Sequence, residues 1–564
     1  MSRSTPVRDV AAPATRKPSA PPKQKATAKR PLTSAKAPTR KRKAPKLPRI
    51  FVSIASYRDT ECQWTIKDLF DKATHPDRVF VGVCWQFFKD QDADCFEVVT
   101  RPEQCRVIEV DASESRGVGW ARSQVQSLWA GEEYFFQIDA HSRFEPGWDE
   151  LCLQMLAACP SPRPVLSAYP TSYVPPDQLG PRNVVLILPK EFDDRGLLAF
   201  TSVATPEAKA PALPTPTAYV AGGLLFAPSA VITEVPYDPY IYFTGEEIAL
   251  AARLWTHGWD LFAPNKVLLF HEYAQRPNKR RHWHDHKQWT KLSDQAGARV
   301  LHLLEDRPCS DPDALRDFDR YRLGTVRPLA DYEAMAGVSF RQKTIGGKST
   351  DELEAGLPAE ARTARIGKRF TDIWRTNAWG NAESRSGAGS TRAQTAKLLP
   401  KLQQVLRDLH VSSLLDAGCG DLNWLQTRSS DLGLYLGVDI VDELVNDLRQ
   451  RFRGRKNHFF NATDITTDRL PRTDAVLCRD VLTHLSLPLA QLALENFRAS
   501  GATYLIATTF PRGRNDAIRT GEWQMIDLNA PPFNLPPPLV LIDEELPGSR
   551  KSLGVWSLDA VRQV

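Results

Sequence analysis

This chain of 564 residues has no run of 18 apolar residues and no apolar segment behind a basic one near its start. Neither a membrane-spanning helix nor a secretory leader is therefore expected. Its nine cysteines are scattered without a Cys-x-x-Cys pair. That argues against a disulfide frame and a zinc knot, and fits free thiols in a reducing, cytoplasmic setting. The first fifty residues are almost without large apolar side chains and hold one acid, Asp9, against fifteen Lys and Arg. Such a segment cannot offset the entropy of ordering, so residues 1–48 read as a disordered tail. The charge of +14 on the first fifty residues, within a total of +6, leaves −8 for the rest of the chain. An acidic body disfavours nucleic acid as a partner, and the tail by itself suits weak contact with an anionic surface.

What is present begins at Pro48. The β-rich runs "RIFVSIASY", "RVFVGVCWQ", "CRVIEVDA" and "EYFFQIDAH" alternate with helical spacings such as "ECQWTIKDLFDKA" and "WARSQVQSLWAG". This alternation predicts an α/β domain with a mostly parallel sheet, spanning residues 49–345. Ligands of such sheets sit beyond the carboxyl ends of the strands, which gathers Tyr57, Arg58, Asp59, Asp139 and His141 around one crevice. Residues 346–368 are polar and poor in strand formers and read as a linker. A second α/β series, residues 369–564, follows with "SSLLDAGCGD", "LYLGVDI", "HFFNATDIT", "DAVLCRDVL" and "TYLIATTF" as strands. No repeat relates the halves.

Asp139 and His141, one residue apart at a strand end, face the same side. They are either a solvated turn or part of a metal site, and a carboxylate with an imidazole suits Mn²⁺ or a similar divalent ion. Downstream, Ile248, Ala251, Ala252 and Trp255 have helical spacing, and Gly258 is a natural stop. Glu246 and Glu247 fall in that helix's first turn, where either could act in catalysis by orienting sugar hydroxyls or an acceptor nucleophile, or where the helix dipole alone is enough to favour them. The following strand "NKVLLF" ends in His271, which would complete an Asp/His/His set with positions open for phosphate oxygens. Arg116 and Arg122 flank "GVGW" and offer guanidiniums to phosphates, or are plain surface charges. "RRHWHDHKQW" places His282, His284 and His286 at alternate positions, read as a basic loop over a diphosphate or as polar surface.

These motifs, together with "SRGVGWARSQVQSLWAGEEYFFQIDAHSRF", "GEEIALAARLWTHGWDLFAP" and "LGTVRPLADYEAMAGVSF", resemble the GlcNAc-transferase family typified by the Skp1 hydroxyproline N-acetylglucosaminyltransferase. The resemblance implies a GT-A fold, UDP-GlcNAc as donor, a divalent metal (Mn²⁺ or Mg²⁺) and retention of anomeric configuration. It places the metal motif on Asp139 and His141, and the uridine end of the donor on Tyr57, Arg58 and Asp59. Gly222 and Gly223 would form the floor beneath the donor sugar. A D-x-H with a distal histidine is also similar to the arrangement in polypeptide GalNAc-transferases.

In the second series "LLDAGCGD" breaks a strand into a glycine turn at Gly418 and Gly420, with Asp416 at the strand's end. Asp439 closes the next strand, where a carboxylate can grip ribose hydroxyls, and Asp464 closes the third. This pattern resembles class I methyltransferases that use S-adenosyl-L-methionine, although Leu422 stands where a third glycine is usual. By that resemblance, Trp379 and Ser386–Thr391 would close over the cofactor. Arg479, Asp480 and His484 follow the fourth strand, the position of substrate chemistry; His484 is either a base or a structural histidine.

The expectation is an α/β protein: a GT-A nucleotide-diphospho-sugar transferase domain, then a Rossmann-like class I methyltransferase domain, behind a basic tail. Its acceptor would be a glycan or a protein hydroxyl, and one molecule could serve both reactions. The alternative is a methyltransferase whose first domain is a catalytically silent glycan-binding module.

Overall fold

Four parallel strands open the folded part: β1 (Ile50–Tyr57), β2 (Val79–Phe87), β3 (Cys105–Asp111) and β4 (Tyr134–Asp139). Their Val, Ile and Phe residues alternate between the faces of the sheet. Phe51 joins one buried cluster with Val125, Leu225 and Ile248; Ile50, Val52 and Ile54 join the other with Leu69 and Trp148. In this computed structural model residues 47–95, 100–274, 279–426 and 431–561 are described. The tail expected to be disordered lies, through residue 46, outside them.

Along the chain follow β5 (Ser142–Phe144), β6 (Pro164–Ser167), β7 (Thr171–Val174) and β8 (Gln178–Leu179). A long antiparallel hairpin, β9 (Asn183–Phe192) with β10 (Leu198–Pro206), comes next. Then come β11 (Thr215–Pro216), β12 (Leu224–Pro228), β13 (Asp260–Ala263) and β14 (Leu269–His271). Among the described residues the main sheet has eight strands in the order β11-β13-β6-β12-β4-β1-β2-β3. A smaller sheet, β5-β14-β7-β8, crosses the carboxyl end of β4. There β14 runs antiparallel to β5 with His271 opposite Ser142. That register carries His271 across some 130 residues of chain to the neighbour of His141.

Residues 346–368, expected as a linker, are folded. After the short strands β15 (Val338–Ser339), β16 (Thr344–Ile345) and β17 (Lys348–Ser349), helix Thr350–Ala355 starts with a capping box between Ser349 and Glu352. Helix Ala359–Thr376 then runs past residue 368 into the second half.

That half holds β18 (Ser413–Ala417), β19 (Leu434–Asp439), β20 (His458–Ala462), β21 (Ala475–Cys478), β22 (Tyr504–Thr509), β23 (Val540–Asp543) and β24 (Ser552–Ser557). Their order is β20-β19-β18-β21-β22-β24-β23, parallel except for β24, which is antiparallel to both its neighbours. This is a Rossmann-like sheet. The strand order turns back between β18 and β21, and a ligand crevice belongs at that switch point. The β9–β10 turn meets the second half directly: Arg519 donates to the carbonyls of Phe192 (2.5 Å) and Asp193 (2.7 Å) and pairs with Asp194, while Arg365 pairs with Glu191. Among the described residues, no helix is long and apolar enough to cross a membrane.

Candidate functional sites

The first site lies where β4 and β14 end. One ligand atom from each of Asp139, His141 and His271 falls within 4.8 Å of the others. His271 Nε2 is 3.1 Å from Asp139 Oδ2, and the two imidazole rings lie 4.6 Å apart. Two imidazoles and a carboxylate form a donor set suited to a first-row divalent ion. The approach is kept open by Gly223, where a Cβ would come within 2.8 Å of Asp139 Oδ2.

Asp59, placed by resemblance at the uridine end, instead takes a hydrogen bond from His141 Nδ1 at 2.7 Å. This leaves His141 Nε2 to face the cluster, the outer-sphere arrangement that fixes the tautomer of a metal-binding histidine. Burial opposes the charged forms of this pair. The His141 imidazole nevertheless holds the Asp59 carboxyl down at about 2, and Asp59 raises His141. Burial would likewise raise Asp139, but the hydrogen bond with His271 and the Arg122 charge drive it far below the carboxylate range. Burial and the His141 charge lower His271.

Arg122 is a buried pillar rather than an open phosphate ligand, with a side chain only 4% exposed. Its guanidinium donates to Asp139 Oδ1 (2.7 Å) and Tyr237 Oη (2.9 Å), and pairs with Glu246. Gly222 has no room for a Cβ because Arg122 Nη1 would lie 2.5 Å from it. Glu247 accepts from Tyr169 Oη (2.7 Å) and the Gly222 amide (2.9 Å), and burial raises its pKa. Asp139, His271, Arg122, Glu246 and Glu247 line one cavity of about 400 Å³, whose mouth carries Phe243, 58% exposed, and Tyr273, 49% exposed.

Two further expected residues sit beside this cavity without lining it. Tyr57 Oη (2.8 Å) and Arg58 Nη1 (2.9 Å) both bind Asp285, in the short helix His282–Asp285, and Arg58 also holds Asp92. The rings of His282 and His286 stack at 3.8 Å, with His282 5.0 Å from Tyr57. The histidine-rich segment thus folds over the end of β1. Arg116 lines a different groove, together with Trp120 and Tyr240, and is not brought to Asp139.

The second site lies beyond β18 and β19. Asp416, Gly418, Gly420, Asp439, Asp464, Arg479, Asp480 and His484 all border one pocket, with Trp379 and Ser386 as its cover. Ser386 stays there because Ser384 Oγ (2.9 Å) and the Arg385 amide (3.0 Å) bind Asp421. A Cβ on Gly420 would meet Ser386 Oγ at 2.3 Å, and one on Gly418 would meet Val481 at 2.4 Å, so both glycines make room for protein atoms. Leu422 keeps the turn with φ of 56° despite its side chain, which is buried. Asp439 Oδ2 accepts from the Gly420 amide (3.1 Å), tying the first strand's turn to the second strand's end.

The groups after β21 have separate tasks. Arg479 is occupied by Glu544 (2.8 Å) and the Gly389 carbonyl (2.9 Å), and Asp464 by Thr363 (2.6 Å) and Thr466 (2.7 Å). Asp480 is held by Lys551 at 2.5 Å. Burial opposes its charge, but Arg479 and Lys551 keep it at about 2. His484 donates from Nδ1 to the Glu522 carbonyl (2.8 Å), which in the neutral ring leaves the lone pair on Nε2; burial lowers its pKa. Lys551, Glu544, Tyr169 and Tyr237 lie in no motif and entered through folding alone.

A family model described as Glycosyltransferase (GlcNAc) matches residues 49–100 and 96–342. No protein with a curated description matches the sequence. Among solved structures, GalNAc-T7 with UDP, GalNAc and Mn²⁺ aligns over 52% of this chain and 57% of its own, at 15% identity and a TM-score of 0.35. Magnesium protoporphyrin IX methyltransferase from Synechocystis PCC 6803 with bound SAH aligns over 27% of this chain and 73% of its own, at 20% identity and a TM-score of 0.22. The N-methyltransferase NodS from Bradyrhizobium japonicum WM9 with SAH aligns over 24% and 72%, at 16% identity and a TM-score of 0.22.

Proposed function

The chain belongs to the GlcNAc glycosyltransferase family, and from that premise we propose that residues 49–345 transfer GlcNAc from UDP-GlcNAc to a hydroxyl with retention of configuration, while residues 369–564 methylate with S-adenosylmethionine, in the cytoplasm. The observation that carries the first half is the convergence of Asp139, His141 and His271 at the strand ends. These three residues would hold a divalent ion, Mn²⁺ or Mg²⁺, which would supply positive charge against a departing nucleoside diphosphate. Around it, Asp59 aims His141, Arg122 fixes Asp139, and Glu247 presents a carboxyl to sugar hydroxyls in the same cavity.

In the second half the glycine turn and Asp439 suit the nucleoside of adenosylmethionine, which supplies an electrophilic methyl group when bound. His484 Nε2 takes the proton of an acceptor hydroxyl as that oxygen gains the methyl. Both halves acting on one glycan or protein-linked sugar accounts for their fusion. The test is UDP release by the full chain from UDP-GlcNAc, UDP-GalNAc and UDP-Glc, with and without MnCl₂. Mn²⁺-dependent release, fastest from UDP-GlcNAc, is expected. No release and no binding with any donor would make the first half a glycan-binding module without catalysis.

A further inference from the structure

The second half opens into another cleft, of about 840 Å³, which shares Trp379, Ser386, Asp480 and His484 with the pocket assigned above to the methyl donor. A molecule in this cleft reaches the imidazole that would take its proton. Two features of the walls bear on its chemistry.

The charges are unevenly paired. Asp480 is neutralised by Lys551 and Arg479, and Arg514 at the rim shares its charge with Asp516 (2.9 Å). Arg512 and Arg550 line the same cleft, and neither guanidinium has a partner among the described residues. Glu522 is the remaining acid of the wall, and its carboxylate accepts from the Arg519 amide (2.9 Å). Free guanidiniums in a body of net charge −8 mark this cleft as the place for an anion. Arg512 is also held in an unfavourable backbone conformation, φ of 62° between Pro511 and Gly513, with its amide donating to Asp527 (2.9 Å). A long side chain kept in the left-handed region needs surroundings that impose it, and such positions cluster at ligand sites.

The second feature is aromatic. Trp523 stands on the wall 55% exposed, braced edge-on by Phe510 with ring centroids 5.9 Å apart. An indole fixed in the open with guanidiniums near it offers an apolar face for a ring and charge for the ring's substituent.

We propose that this cleft takes a negatively charged sugar, its ring on Trp523 and its phosphate or carboxylate on Arg512 and Arg550, and that this sugar is the methyl acceptor. The inference rests on the reading of this half as a methyltransferase. Calorimetric titration of the full chain, first with SAH and then with sugars on the SAH-saturated protein, separates the two. N-acetylglucosamine 6-phosphate, glucuronic acid and methyl N-acetylglucosaminide are the probes. Both anionic sugars should bind and compete with each other, with the neutral glycoside about tenfold weaker or more. Arg512→Gln and Arg550→Gln should each weaken the anionic sugars about tenfold and leave SAH binding unchanged. The tighter of the two anionic probes identifies phosphate or carboxylate as the natural group. Equal binding of the neutral glycoside, unchanged affinity in both variants, or no binding of either anionic sugar to the SAH-loaded chain would overturn the proposal. Failure of SAH to bind would instead refute the methyltransferase reading on which it stands.

Discussion

Replacing Asp139 by Asn keeps the shape of the side chain and removes its charge. In the free protein the change leaves Arg122 with Glu246 and Tyr237 and turns its ion pair at Oδ1 into a hydrogen bond to a neutral amide oxygen, a loss of about 1 kcal/mol. The effect on metal binding is larger. Outer-sphere partners of metal ligands are worth roughly 10–100-fold in affinity, so loss of a direct ligand should cost at least about 100-fold. With Mn²⁺ and UDP-GlcNAc at about 100 times the wild-type dissociation constant, the native chain gains about 2.7 kcal/mol and the variant about 0.4 kcal/mol. For a domain of this size those gains are roughly 5–10 °C and 1 °C. Differential scanning fluorimetry of the full chain measures both shifts. The stabilisation of each protein by SAH serves as the internal control, because the pocket beyond β18 and β19 contains none of the altered contacts. A shift of several degrees in Asp139→Asn, matching the native chain, would refute the assignment of the carboxylate as a metal ligand.

Asp59→Asn should weaken Mn²⁺ about 10–100-fold while the fold persists, and raising Mn²⁺ should restore transfer; a Mn²⁺ titration of activity checks this. His484→Gln should lower methyl transfer by roughly 10²–10⁴-fold with SAH affinity unchanged by calorimetry; a similar loss of SAH binding would mean a structural role. Burial pushes Asp416 up to about 7, so the folded chain keeps a proton there that the unfolded chain releases near pH 4. Stability contributed by this group is therefore present at low pH and lost as pH rises from about 4 to 7, at up to ~1.4 kcal/mol per unit. Asp416→Asn should flatten that slope in urea titrations at pH 5 and 8, and an unchanged slope would contradict it. Arg519→Ala removes the bonds to the β9–β10 turn and should separate the melting of the two halves in calorimetry; one unchanged cooperative transition would show the contact to be unimportant.

Most of the architecture was legible because its signals are local. The strand runs announced themselves by β-branched and aromatic composition. Helix Glu246–Thr256 followed from the spacing of Ile248, Ala251, Ala252 and Trp255. The carboxyl ends of strands carried Asp139, His271 and Asp439 because a strand that is apolar on both faces ends where polar side chains can leave it. The stretch 346–368 reads as a linker because it lacks strand formers, yet Ser349 and Glu352 hold the spacing of a capping box, and that local signal prevails in the fold.

The sequence by itself determined which segments form strands and helices, and which polar residues stand at their ends, since those depend on neighbours a few positions away. Only the tertiary structure decided what each polar group does. Arg122 became a buried pillar because Glu246, 124 residues later, lands on its guanidinium, and Asp59 became the support of His141 because β1 and β4 lie side by side. Asp480 is held charged by a lysine 71 residues away. Electrostatic and hydrogen-bond energies act over a few ångströms of space, and the distance along the chain between two groups says nothing about that separation until the sheet has closed.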